Sequence, residues 1–107
     1  MRGAFWLLAL VGWGCWALAD RPEVCAQEED AALAAMPDHP GKEEVFYTCN
    51  ACHSIRLVTQ QRLPRDRWDQ LLDWMVAEQG MAELTAEERQ VILQYLATQY
   101  GPDVPRS

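Results

Sequence analysis

Cys49-Asn50-Ala51-Cys52-His53 decides how this chain is read. Two thiols stand three positions apart, and an imidazole follows the second directly. Cysteines at that spacing can form thioethers to the two vinyl groups on one edge of a porphyrin. The histidine then stands beneath the ring, where a ring nitrogen can ligate the iron. The stretch therefore reads as an attachment site for one covalent c-type haem.

Three other chemistries use parts of this pattern. A redox dithiol also carries C-x-x-C, but it follows a strand in a βαβ unit, and no strand alternation is visible here. A zinc site needs a second pair of ligands, and no Cys or His follows His53. A disulfide between Cys49 and Cys52 would close a small, strained loop. Covalent haem is the expected chemistry.

Upstream of the motif, the first nineteen residues have the layout of an export signal. Arg2 supplies a positive start, Ala4 to Leu18 carry no charge, and Ala17-Leu18-Ala19 offers small residues for cleavage before Asp20. The uncharged run, Ala4 to Leu18, is shorter than the ~20 apolar residues that span a bilayer. Membrane attachment is expected only if this segment is retained. Cys15 follows Gly12-Trp13-Gly14, a poor match to a lipoprotein signal. The expected destination is the periplasm, an oxidising compartment, with cleavage after Ala19.

Composition narrows the field further. The chain has 107 residues, 50% of them hydrophobic, and a formal net charge of -7. Losing residues 1–19 removes Arg2 and no acid, so the remainder is more acidic still. No basic patch is present for phosphate contacts, which excludes nucleic acid as a partner. The apolar fraction is too high for disorder throughout. What remains is one small domain, of a size that usually needs a disulfide, metal or cofactor to hold its fold.

Residues 20–40 read as an N-terminal extension and residues 41–107 as the domain. Ala26 to Met36 can form a short helix, and Pro37-Asp38-His39-Pro40-Gly41 breaks it. A helix is expected from Gly41 to about Thr48, with Val45 and Phe46 facing inward. Ser54 to Leu63 reads as irregular. Pro64 suits a first helical turn, and Trp68, Leu71, Leu72, Met75 and Val76 follow at helical spacing, with Gly80 a candidate C-cap. Thr85-Ala86-Glu87-Glu88 is a capping box for a last helix whose expected face is Glu88, Ile92, Tyr95, Leu96 and Gln99, with Val91 beside it. Gly101-Pro102 stops it. The fold class is all-α, with three helices in the domain and no sheet.

A haem iron held by His53 can take a sixth ligand. His39 is the only other histidine, and Met75 and Met81 are the downstream thioethers. Core filling is the commoner use of such methionines, and one iron can take only one of them.

Cys49-x-x-Cys52-His53-Ser54, Gln61-Arg62, Trp68 with Met75 seven residues later, Gly80, Glu87-Glu88 and Tyr95-Leu96 form a connected pattern. From Gly41 to Pro102 the chain resembles class I-type mono-haem cytochrome c domains. More narrowly, it resembles the haem subunits of periplasmic sulfite dehydrogenases and the haem domains of quinohaemoprotein amine dehydrogenases. The resemblance implies a small cytochrome c fold with helices around one haem c. It also implies His53 and Met75 as iron ligands. Met81-Ala82-Glu83-Leu84 resembles the alternative arrangement of other class I cytochromes, whose methionine precedes the last helix.

Arg56, Arg62, Arg65 and Arg67 cluster after the motif. By analogy with the relatives, Arg62 is the expected partner of a haem propionate, or else a solvated surface arginine. Trp68 is expected beside the haem. Trp74, six residues on, belongs to a different helix face and is expected at the rim or on a docking surface.

The expected function is periplasmic transfer of single electrons through a His/Met-ligated haem, with no catalysis by the chain itself. A basic surface on a periplasmic dehydrogenase or terminal acceptor would suit its acidic balance. Two alternatives stand beside it. One is a tightly bound haem subunit of a hetero-oligomeric dehydrogenase, with residues 20–40 as a wrapping arm. The other is a five-coordinate haem sensor. Cys25 is left over, as an idle thiol or one end of an intermolecular disulfide.

Overall fold

The computed structural model describes residues 22–106, so the expected export segment and its cleavage point at Ala19 lie outside the described residues. Five helices follow one another: α1 (Pro22–Ala35), α2 (Lys42–Asn50), α3 (Arg56–Thr59), α4 (Arg65–Glu78) and α5 (Ala86–Gln99). No strand occurs among the described residues. The all-α class is as expected, with one helix more than the domain pattern suggested.

The last helix sets the frame. Thr85 accepts from the Glu88 N–H at 3.2 Å, and the Glu88 carboxylate accepts from the Thr85 N–H at 2.8 Å, closing the capping box. The helix lies between α2 and α4 and packs against both. That placement demands a wider apolar arc than the expected face. Ile92, Leu93, Tyr95 and Leu96 are buried, while Glu88 is exposed and Val91 half-exposed. Each such large side chain taken from water contributes about 1.5–3 kcal/mol before entropy is subtracted.

Where α2 meets α5, Gly41 has φ +96°. An L side chain rarely adopts that backbone. A Cβ at this position would also lie 3.0 Å from both Tyr95 Cβ and the Val91 carbonyl oxygen. Glycine is needed for conformation and for clearance alike. Nearby, the Tyr95 hydroxyl donates to the Pro37 carbonyl at 2.7 Å and fastens α5 to the α1–α2 connection.

α4 begins with Pro64 as its N-cap, one position outside the first turn expected for it. Arg89 on α5 reaches back to Asp69 and Asp73 on α4 at 2.8 Å each. The pairs are partly exposed, so they contribute modestly and mainly fix how the two helices face each other. Deeper in, the Trp68 indole N–H donates to the Tyr100 carbonyl at 3.2 Å, and Leu63 N–H donates to the same oxygen at 3.0 Å. Both termini of the 63–100 segment are thereby drawn together.

α1 starts at Pro22 rather than Ala26, because proline suits the first helical position and Glu23 complements the helix dipole there. Residues Glu23 to Ala31 are all exposed. Only Ala32, Leu33 and the following Met36 anchor this helix to the core. α3 is a single turn inside the segment expected to be irregular. Its start is set by the Arg56 N–H on Ser54 Oγ at 3.3 Å, and Val58 is buried beneath it.

Candidate functional site

α2 runs two residues past its expected end, which places Cys49 in its last turn and Asn50 at its end. Cys52 and His53 follow in the turn beyond. Asn50 closes that turn: its Oδ1 accepts from the Ile55 N–H at 3.1 Å, and its amide donates to Glu29 of α1 at 3.5 Å. The His53 Nδ1 lies 3.2 Å from the Ser54 carbonyl oxygen. A carbonyl only accepts, so this contact is a hydrogen bond when Nδ1 carries the proton, which in the neutral ring leaves Nε2 its lone pair. This is the tautomer a metal-binding histidine requires, with the second nitrogen oriented by a backbone oxygen.

A cavity of about 680 Å³ opens beside this turn. Such a volume falls within the ~300–1,000 Å³ of small-molecule and cofactor sites. Thr48, Cys49, Cys52 and His53 form one wall; Leu57, Val58, Gln61 and Leu63 form the next. Trp68, Leu71, Trp74 and Met75 of α4 also line it, with Gln79 and Met81 after the helix end. No charged side chain lines it. An apolar lining with sulfur and imidazole donors suits a planar, largely apolar group that anchors through thiols and offers a metal to soft ligands. The donor set and the volume both fit a covalent haem.

The two cysteines stand as free thiols. Cys52 is exposed, whereas Cys49 is 7% exposed and its thiol is pushed up to about 11 by burial. It also sits at the negative end of α2, which disfavours a thiolate further. Redox dithiols need the opposite, an exposed thiol of lowered pKa at a helix N-terminus. The geometry speaks against dithiol–disulfide exchange as the purpose of the pair. Among the described residues, no group of three or more His, Cys, Asp and Glu is placed to hold a metal ion by itself.

Both candidate methionines line the cavity, and both are half-buried. Gly80 has φ +73° just beyond α4 and turns the chain back. The Met75 carbonyl accepts from the Gln79 N–H at 3.0 Å and from the Met81 N–H at 3.1 Å. Met81 is thus returned beside Met75.

Trp68 is 2% exposed and lies in the cavity wall as expected. Trp74 is 50% exposed and lines the same cavity. Expecting the two indoles on separate faces was too strict, because the cavity wall is broader than one stripe and the indole is long. His39 does not line the cavity. It lies exposed on the α1–α2 connection, its ring 6.5 Å from that of Tyr95.

Arg62, expected at a haem propionate or else as a surface arginine, stands outside the cavity lining. Its guanidinium donates to the backbone carbonyls of Thr59, Gln61, Val104 and Pro105 at 2.7–3.1 Å, and covers the Tyr100 ring at 5.2 Å. It is a clamp on the C-terminal segment. Cys25, exposed on α1, lines a separate groove of about 720 Å³ that it shares with Cys52, His53, Glu28 and Glu29.

Asn50, Leu57 and Gln61 were not expected at the site. Asn50 could have been suspected from its place inside the motif, since a short amide there can bond the turn's own backbone. Leu57 had no such signal. A scan against protein-family models, a search of curated proteins and a search of solved structures each return no match.

Proposed function

We propose that this chain is an exported c-type cytochrome that carries single electrons through one haem held by Cys49, Cys52 and His53. The observation that carries the reading is the convergence of both thiols, an imidazole with a free Nε2, and two thioethers on one uncharged cavity. Haem bound there supplies a one-electron ferric–ferrous couple.

The chain's own residues would do the rest. Cys49 and Cys52 fix the group covalently, and His53 is oriented by the Ser54 carbonyl. Met75 would supply the iron with a second, soft donor, which would favour the ferrous state. Trp68, Leu71 and Leu63 exclude water, which keeps the site at low dielectric and limits reorganisation on electron transfer. Were His53 and one methionine both to bind the iron, they would leave it no open position for a substrate, and the chain itself would not be an enzyme. In this reading the helices form a small cytochrome c fold.

The acidic surface favours a redox partner with a basic docking patch, so the rate of electron exchange should fall as ionic strength rises. A second reading, a permanent haem subunit of a larger dehydrogenase, is favoured by α1, whose residues Glu23 to Ala31 are exposed. Purification of the native protein from the periplasm, with haem staining and mass spectrometry, tests both readings. A haem-stained species starting at Asp20 supports the cytochrome, and stoichiometric recovery of a large catalytic chain supports the subunit. A haem-free chain removes both.

A further inference from the structure

Two thioethers, not one, face the cavity that holds His53. Resting on the haem reading above, we propose that Met81 is a reserve distal ligand, able to replace Met75 on the iron with the haem remaining covalently bound. Three observations carry this.

Both methionines line the cavity and both are half-buried, Met81 at the margin of the core and Met75 on α4. Their backbones are joined directly, with the Met81 N–H donating to the Met75 carbonyl at 3.1 Å across the Gly80 turn. The two also differ in freedom. Met75 is set by the regular geometry of α4, whereas Met81 belongs to the stretch between α4 and α5 that has no regular structure. A methionine has three rotatable side-chain bonds and adapts readily to irregular space. The ordered helix therefore presents Met75 first, and the adaptable loop can present Met81 when Met75 is lost or displaced. The exchange breaks one sulfur–iron bond and forms another, with no change in proton or electron count.

The test uses the full holo protein with Met75→Leu, Met81→Leu and the double variant, because leucine conserves volume and protects the fold. The readouts are the ferric methionine–iron charge-transfer band and the midpoint potential. Wild type and Met81→Leu should show the band, and Met75→Leu should retain it at a shifted potential. Only the double variant should lose it and bind carbon monoxide without displacing a ligand. Loss of the band in Met75→Leu as complete as in the double variant overturns the proposal. So does a Met81→Leu variant that loses the band while Met75→Leu matches wild type, which would make Met81 the sole ligand. If Met75→Leu does not fold, proton spectra of the wild-type ferrous protein decide the matter. Two exchanging ligand-methyl signals on warming support a reserve ligand; a single invariant signal refutes it. Absence of covalent haem in every protein would instead defeat the reading beneath it, and this proposal with it.

Discussion

The α2–α5 crossing gives a quantitative prediction through Gly41. Replacing it by alanine imposes two separate costs. The first is conformational: at φ +96° an L residue is strained, at about 1–2 kcal/mol. The second is contact, because the new Cβ would meet Tyr95 Cβ and the Val91 oxygen at 3.0 Å, and overpacking of this kind costs about 1–3 kcal/mol. Gly41→Ala should therefore destabilise by about 2–5 kcal/mol, a large share of the ~5–15 kcal/mol typical of a folded domain. Gly80 provides the control. It too has a positive φ, +73°, but a Cβ there meets nothing within 4 Å, so Gly80→Ala should cost only the conformational ~1–2 kcal/mol. Urea unfolding of both holo variants, followed by far-ultraviolet circular dichroism, measures the difference directly. Each kcal/mol should also lower Tm by about 4–8 °C in a domain of this size. Equal losses in the two variants, or a loss below about 1 kcal/mol in Gly41→Ala, would refute the close crossing.

Removing the cofactor should unfold the chain. Without it, the cavity of about 680 Å³ stands open to solvent and exposes the apolar sides of Leu57, Leu63, Leu71 and Met75, a loss of burial that so small a domain is poorly able to sustain. Circular dichroism of the haem-free chain should show largely disordered polypeptide, and native helicity there would contradict the cofactor's part in the fold. Trp68→Phe should cost about 2–4 kcal/mol, from the lost hydrogen bond, about 0.5–1.5 because the Tyr100 carbonyl keeps its bond from Leu63, and from the buried ring volume removed; a loss above about 5 kcal/mol in urea would point to a further role at the cofactor. Arg62→Lys should speed hydrogen exchange and proteolysis in residues 101–106 at an unchanged midpoint potential, while a shifted potential with the tail still protected would restore the propionate role. Burial pushes up the phenols of Tyr95 and Tyr100, so both keep protons in the fold that the unfolded chain releases above about pH 10. Stability is then full below that pH and falls above it as the unfolded phenols ionise, until the folded groups themselves titrate. Tyr95→Phe should make the fall of urea midpoints above about pH 10 shallower, and an unchanged slope would contradict the burial argument.

Much of the fold was legible where its causes are local. The Thr85–Glu88 box and the left-handed turn at Gly80 are set by residues a few positions apart, and sequence spacing displays them. Leu93 was missed because its burial comes from α5 lying between two neighbours, a tertiary fact that a single stripe does not reveal. α3 escaped notice because one turn, Arg56 to Thr59, has no periodicity to read. The Arg62 contacts to Val104 and Pro105 were not legible for a similar reason: those residues lie more than forty positions away, and nothing near Arg62 in sequence announces them. At the site, the motif displays its thiols and imidazole openly. The apolar wall supplied by Leu57, Leu71 and Trp74 depends on how α5, packed against both α2 and α4, sets the chain around the motif.

Covalent haem on Cys49 and Cys52 is open to a direct test, the intact mass of the mature protein under denaturing conditions. The protein would be expressed in a host that attaches haem c and analysed beside the Cys49→Ala/Cys52→Ala variant. The natural sequence should give polypeptide plus one haem, with the haem resisting acid extraction, and the variant polypeptide alone. Bare polypeptide for both, or haem extractable by acid from the natural sequence, would contradict it.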